Sequence, residues 1–126
     1  MNINYNSEVP IYLQIAEEIE DAILTGAFPE ETQVPSTTEI SVTYKINPAT
    51  VLKGMTLLVD ENTLYKKRGV GMFVSEGAPA RILEKRKKAF YEAYVVRLLD
   101  EAEKLHISRQ EILNMIKEEN HRETID

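Results

Sequence analysis

The chain of 126 residues has no cysteine, no tryptophan, only two histidines, and no lysine or arginine anywhere in its first 44 residues. Without cysteine there is no disulfide scaffold, no Cys-ligated zinc site and no thiol nucleophile, a composition that suits a reducing cytoplasm. His106 and His121 lack His-Glu-x-x-His or any other paired-ligand spacing, so they read as solvated helix-end residues and no metal is expected. No apolar run approaches the ~18 residues of a membrane-spanning helix. Met1 to Tyr5 has no basic stretch followed by an apolar one, so no signal peptide is expected. The length predicts one domain, or one small domain plus a helical appendage, with no room for a large effector or catalytic domain. Gly69-Val70-Gly71 lacks the following Lys and Ser or Thr of a phosphate-binding loop and reads as a tight strand connection. The carboxylates are spread over helix faces and no nucleophile constellation is visible, so neither an enzyme nor a cofactor is expected.

What is present is charge of both signs, unevenly placed. The net charge is -6, which by itself argues against nucleic acid. Yet residues 1 to 44 contain eight acids (Glu8, Glu17, Glu18, Glu20, Asp21, Glu30, Glu31, Glu39) and no base. Residues 45 to 75 reverse the sign, with Lys45, Lys53, Lys66, Lys67 and Arg68 against Asp60 and Glu61. Arg81, Lys85, Arg86, Lys87 and Lys88 follow with only Glu84 among them, a cluster that reads equally well as a solvated helix face.

Hydrophobic spacing predicts a first helix from Pro10 to Leu24, with Ile11, Leu13, Ile15, Ala16, Ile19, Ala22 and Ile23 apolar, Pro10 in the first turn and Gly26 at the C-cap. Phe28 to Val34, between Pro29 and Pro35, reads as a connecting loop. Ser36-Thr37-Thr38-Glu39 matches a capping box and starts a short helix to about Lys45. Asn47 as N-cap and Pro48 at the first helical position start a third helix to about Glu61, packed through Val51, Met55 and Leu58. Two short helices joined by a tight turn make a helix-turn-helix. Leu64 to Lys66 and Met72 to Val74 read as strands of a hairpin around Lys67 to Gly71, which adds a wing.

Gly77-Ala78-Pro79 marks a junction, so the expected domains are 1–77 and 78–126. A periodic stretch from about Ala80 to Leu105 has an apolar arc too wide for one packing partner. A second capping box, Ser108-Arg109-Gln110-Glu111, starts a last helix with Ile112, Leu113, Met115 and Ile116 inward and a frayed end from His121 to Asp126. The fold class is mainly α with a small β-hairpin, a winged helix-turn-helix domain followed by a two-helix C-terminal segment.

In a helix-turn-helix the second helix enters the major groove with its N-terminal residues at base edges. Asn47, Ala49, Thr50, Leu52 and Lys53 are therefore candidate DNA contacts: Thr50 for a phosphate or base, Ala49 or Leu52 for a thymine methyl, Lys53 for a phosphate or guanine. The hairpin tip Lys67-Arg68-Gly69 would follow the adjacent minor groove. A small helical core that binds no DNA fits the same spacing.

The ordered series Pro10-Ile11-Tyr12-Leu13-Gln14-Ile15, Ile23 with Gly26, Val34-Pro35-Ser36, Asn47-Pro48-Ala49-Thr50-Val51, Leu57-Leu58 and Arg68-Gly69-Val70-Gly71-Met72-Phe73-Val74 resembles the winged helix-turn-helix domain of the GntR family of bacterial transcription regulators. The short helical C-terminus resembles the YtrA subfamily, in which two helices mediate dimerisation and the regulators often lie beside ABC-transporter genes. The resemblance implies double-stranded DNA as partner and a homodimeric repressor that reads a pseudo-palindromic operator. It adds Ser36, Thr37, Thr38, Lys45 and Lys66 to the DNA surface, with Arg81 as a further basic candidate. It places dimerisation on Phe90, Ala93, Tyr94, Val96, Leu98, Leu99, Ile112, Met115 and Ile116. The pattern departs from the family at Thr38, Leu52 and Val70, where basic residues are usual, and at Glu30, where glycine is usual. An interaction module of the same fold that no longer binds DNA alone is the second reading. A small-molecule effector is open, with the dimer interface as the place for its pocket.

Overall fold

The computed structural model describes the backbone of residues 1–125 and the side chains of residues 1–119. Expectations that concern Asp126 or the side chains from His121 onward lie outside the described residues. The elements are α1 (Ile11–Leu24), α2 (Thr37–Tyr44), α3 (Pro48–Asp60), β1 (Leu64–Lys67), β2 (Gly71–Val74), α4 (Ala78–Phe90), a π-helical stretch (Tyr91–Val96), α5 (Arg97–Lys104) and α6 (Arg109–Ile125). The chain divides into two compact units, Met1–Glu84 and Lys85–Asp126.

In the first unit, α1 places Ile15, Ala16, Ile19 and Ile23 on one buried stripe. They meet Ile40 of α2, Val51, Met55 and Leu58 of α3, Leu64 and Val74 of the hairpin, and Ala78 and Ile82 of α4 in a single core. Pro10 lies just before α1 as its N-cap residue, and its carbonyl accepts from the Leu13 and Gln14 amides. At the other end Thr25 is the C-cap, one residue before the expected Gly26. Gln14 is buried, and its amide is used at both ends. Its Oε1 accepts from Asn4 N–H at 2.8 Å, while its Nε2 donates to the Asn4 and Val9 carbonyls at 2.9 and 2.8 Å. This ties residues 4 to 9 to α1, since a buried amide left unpaired would cost about 1–3 kcal/mol.

Gly54 of α3 is where α1 and α3 come closest. A Cβ there would lie 2.6 Å from the Tyr12 carbonyl oxygen and 3.3 Å from the Ile15 side chain. Only a residue without a side chain lets the two helices approach this far. Val51 and Leu58, flanking it on the same face of α3, are completely buried.

The hairpin pairs Leu64 with Val74, Tyr65 with Phe73, Lys66 with Met72 and Lys67 with Gly71. The segment expected to be a connecting loop is one, but it also lies against β2 through an isolated bridge. Gln33 bridges Phe73, the Val34 amide donates to the Met72 carbonyl at 3.0 Å, and the Val74 amide donates to Thr32 at 2.9 Å. Two prolines disguise a segment that needs only one good ladder edge. Gly71 makes room for this arrangement, since a Cβ on it would meet the Gln33 amide nitrogen at 2.5 Å.

Helix α4 begins at Ala78 with Pro79 in its first turn, so the expected breaker opens a helix. Ala78 and Ile82 belong to the first core, and the first unit accordingly extends through Glu84, beyond the Gly77 junction.

In the second unit the regular helix expected up to Leu105 is interrupted by the π-helical stretch Tyr91–Val96, where hydrogen bonds reach one residue further than in an α-helix. Leu105 caps α5, His106 takes a left-handed conformation, and the Ile107 amide bonds the Ala102 carbonyl at 2.8 Å. The Ser108 capping box opens α6 as expected, with Glu111 N–H on Ser108 Oγ and Ser108 N–H on the Glu111 carboxylate. Ala102 is buried here, and Val95, Val96, Leu99, Ile107 and Ile112 are half-buried. Leu113, Met115 and Ile116, expected inward, are exposed, and only Ile112 of the four is half-buried.

Gly54→Ala is expected to lower the stability of the first unit by about 1–3 kcal/mol, the usual cost of forcing extra volume into a packed contact. Urea unfolding followed by circular dichroism measures it, and an unchanged midpoint would contradict the close approach.

Candidate nucleic-acid interface

The α2–α3 pair is defined at its corners by local chemistry. Ser36 Oγ accepts from the Glu39 amide at 3.0 Å and the Glu39 carboxylate accepts from the Ser36 amide, which fixes the start of α2. Lys45 ends α2 in a left-handed conformation (φ 54°), and Ser41 Oγ donates to the Ile46 carbonyl at 2.6 Å across the turn. Asn47 Oδ1 then accepts from the Ala49 amide at 2.8 Å, and Pro48 follows as the first helical residue.

These caps divide the expected contact residues by role. Thr37 is turned inward, its hydroxyl against Met55 Sδ at 3.6 Å, and Ser36 and Asn47 are engaged in capping. Thr38, Lys45, Ala49, Leu52 and Lys53 are exposed and Thr50 is half-buried. On α3 the opposite face, Val51, Gly54, Met55 and Leu58, is buried, so the exposed stripe is the remaining side of one amphipathic helix.

Lys53 is held in place. Its Nζ sits 4.1 Å from the centroid of the Tyr12 ring on α1, an attraction worth about 0.5–1 kcal/mol at an exposed site. Ala49, Leu52, Lys53 and Tyr12 share one shallow depression on the α3 surface.

The wing repeats the device. Tyr65 and Phe73 stack with ring centroids 5.7 Å apart, and Lys67 Nζ lies 4.4 Å from the Phe73 ring centre. Lys66, Arg68, Gly69 and Val70 are exposed at and beside the tip, where Gly69 has a φ of 77°. The wing is braced from below: Gln33 Nε2 donates to the Val70 carbonyl at 3.0 Å, and the Tyr65 hydroxyl donates to the Glu31 carboxylate at 2.7 Å. That hydrogen bond, helped by burial and by the carboxylate charge, raises the Tyr65 pKa above its ordinary value. Arg81 is not part of this surface in the expected sense, since its Nη1 donates to the Asn62 carbonyl at 2.8 Å and closes the turn between α3 and β1.

Tyr12, Gln33 and Phe73 carry weight in this surface that sequence spacing did not assign. Tyr12 and Gln33 meet partners far away along the chain, Lys53 and Val70, whereas Phe73 meets Tyr65 and Lys67 across the hairpin; only Tyr12 and Phe73 fall in the quoted motifs. Among the described residues no group of three His, Cys, Asp or Glu side chains could hold a metal ion.

The family model for bacterial regulatory proteins of the gntR family matches residues 11–74. The chain is similar to the HTH-type transcriptional repressor NagR of Bacillus subtilis, at 38% identity over 76 residues, which is 60% of this chain. It spans 31% of the length of that relative. It is also similar to the HTH-type transcriptional repressor YtrA of Bacillus subtilis, at 29% identity over 123 residues, 93% of this chain and 95% of YtrA. A crystal structure of a GntR-family protein from Bacteroides thetaiotaomicron superposes with a TM-score of 0.73 at 37% identity, covering 90% of this chain and 98% of that one.

Asn47→Ala is expected to cost about 1 kcal/mol by removing the cap of α3, whereas Asn47→Asp keeps it. Thermal unfolding together with hydrogen exchange at the Ala49 amide separates the two. Equal stability of Asn47→Ala and the parent would refute the capping role.

Proposed function

This chain belongs to the gntR family of bacterial regulatory proteins, and we propose that it is a DNA-binding transcriptional regulator, a homodimeric repressor that reads a pseudo-palindromic operator, with a transporter operon as its target. The observation that carries the reading is the exposed N-terminal half of α3, capped by Asn47 and flanked by Lys53 on its tyrosine platform. Relatives that share the head are named as transcriptional repressors.

Each residue then has a task. The Lys53 ammonium meets a phosphate and sets the register. Leu52, 47% exposed, packs on a thymine methyl, and Ala49 and Thr50 lie against base edges. Lys66, Lys67 and Arg68 carry the wing along the minor groove, with Gly69 allowing close approach. Thr38 and Lys45 serve the backbone on either side of α2. Asn47, Ser36 and Thr37 support the surface from within.

The second unit serves dimerisation. Phe90, Tyr94, Leu98, Met115 and Ile116 are 45 to 65% exposed, Ala93 is exposed too, and Val96, Leu99 and Ile112 are half-buried beneath. Leu98, Leu105, Ile112, Met115 and Ile116 line an apolar depression of about 320 Å³. Apolar surface of this kind, in a hairpin with so little buried of its own, calls for a second copy to cover it. Two-fold symmetry then sets the operator half-sites roughly one helical turn, about 34–36 Å, apart.

In a gel shift with the DNA upstream of its own gene, the folded dimer is expected to retard the fragment at low salt, and no retardation would overturn the reading. Arg68→Ala is expected to weaken binding and reduce the salt slope by about one phosphate contact per head, while Arg81→Ala leaves the slope unchanged. The pair of changes Leu98→Asp and Ile116→Asp is expected to turn the dimer into a monomer in sedimentation velocity. A dimer that survives them would displace the proposed interface.

A further inference from the structure

Gln33 lies in the segment before α2, yet its side chain reaches the part of the wing that carries Arg68. Residues 31 to 34 run along the second edge of β2. The Glu31 amide donates to the Val74 carbonyl at 2.8 Å, the Val34 amide donates to the Met72 carbonyl at 3.0 Å, and Gln33 itself bridges Phe73. Its backbone is therefore fixed on both sides, and the buried Val34 side chain anchors the segment in the core. From that fixed point the side chain crosses Gly71, which has no Cβ to block it, and Nε2 donates to the Val70 carbonyl at 3.0 Å. The Val70 amide donates in turn to the Lys67 carbonyl at 3.0 Å and closes the turn Lys67-Arg68-Gly69-Val70. Both backbone groups of Val70 are thus held, one by the turn and one by a side chain 37 residues earlier.

We propose that Gln33 is a positioning residue of the DNA surface, whose amide straps the wing tip to the chain entering α2 and so fixes the direction in which Arg68 meets DNA, a role that rests on the regulator reading above. The two strands of the wing are only four residues long, and an isolated hairpin of this size is marginal in water. Arg68 is exposed at its tip, so its direction comes from the backbone that carries it. A donor on the Val70 carbonyl opposes rotation of the peptide that follows the turn, and it does so from a point outside the hairpin. Ser36, the N-cap of α2, lies three residues after Gln33, which ties the wing tip to the start of the helix-turn-helix. Order present before binding is not lost on binding.

The role has a chemical requirement. A carbonyl needs a donor, which an ionised glutamate lacks, and asparagine is one methylene shorter. Gln33 is exposed, so water replaces its amide on the Val70 carbonyl when the side chain is changed, and the cost to global stability is small. The strap therefore acts on the direction of the tip and on affinity more than on folding.

Gln33→Met, close in length and without a donor, is compared with the parent as the full-length protein. In the free protein, the nitrogen-15 order parameters of the Arg68 and Gly69 amides are expected to fall from about 0.85 toward about 0.6, with the unfolding midpoint kept. Unchanged order parameters would overturn the strap. On the DNA upstream of its own gene, Gln33→Met is expected to bind about tenfold more weakly per dimer, roughly threefold per head. In the Arg68→Ala background the same change is expected to cost less than about twofold per dimer. A full tenfold loss there would mean that Gln33 touches DNA or supports the fold by another route, and would overturn its action through Arg68. Disordered tip amides in a variant of a parent that retards no DNA would support the strap and overturn the regulator reading alone.

Discussion

The close approach of α1 and α3 at Gly54 is the contact on which the rest of the head depends. With no Cβ at this position the Tyr12 backbone can lie against α3, which drives Val51, Met55 and Leu58 into the core beside Ile15 and Ile19. Burial of that stripe dictates which residues of α3 remain outside. It also brings the Tyr12 ring beneath the Lys53 ammonium, so one tight crossing both builds the core and places a cation on the proposed DNA face. A lysine already resting on a ring has less rotamer freedom to lose on meeting a phosphate.

The wing solves the same problem without a helix. A two-stranded hairpin alone is marginal in water, and this one is supported on its second edge by the bridge from Gln33 to Phe73 and on its face by Tyr65 bonded to Glu31. The acidic residues before α2 thus do structural work: Glu31 takes the Tyr65 hydroxyl and Glu30 accepts from the Gly77 amide. With these contacts in place the strand pair presents Lys67 on Phe73 and leaves Arg68 at the tip.

The net charge of -6 is an average over unlike surfaces. Apart from Glu8, which precedes α1, the acids of the first 44 residues lie on α1, on α2 and in the segment between them, where Glu31 braces the wing. Five bases between 45 and 68 lie on the C-cap of α2, on α3 and on the wing. Such a separation favours a specific DNA face over indiscriminate attraction to polyanions.

The local elements were legible because their signals are local. The Ser36 and Ser108 capping boxes, the Asn47-Pro48 start and the 3.6-residue stripe of α1 each act within a few residues, and each places its element in the expected stretch. The candidate contacts of α3 and the wing tip followed from those elements. Tertiary structure alone decided the strand-like edge at Gln33, the inward turn of Thr37, the diversion of Arg81 to Asn62, the lysine on Tyr12, and the placement of Ala78 and Ile82 in the first core. The physical reason is the range of the interaction. A cap or a helical stripe is satisfied by neighbours in sequence, whereas a ladder edge, a cation on a ring or a carbonyl taken by a distant guanidinium exists only once packing has brought the partners together.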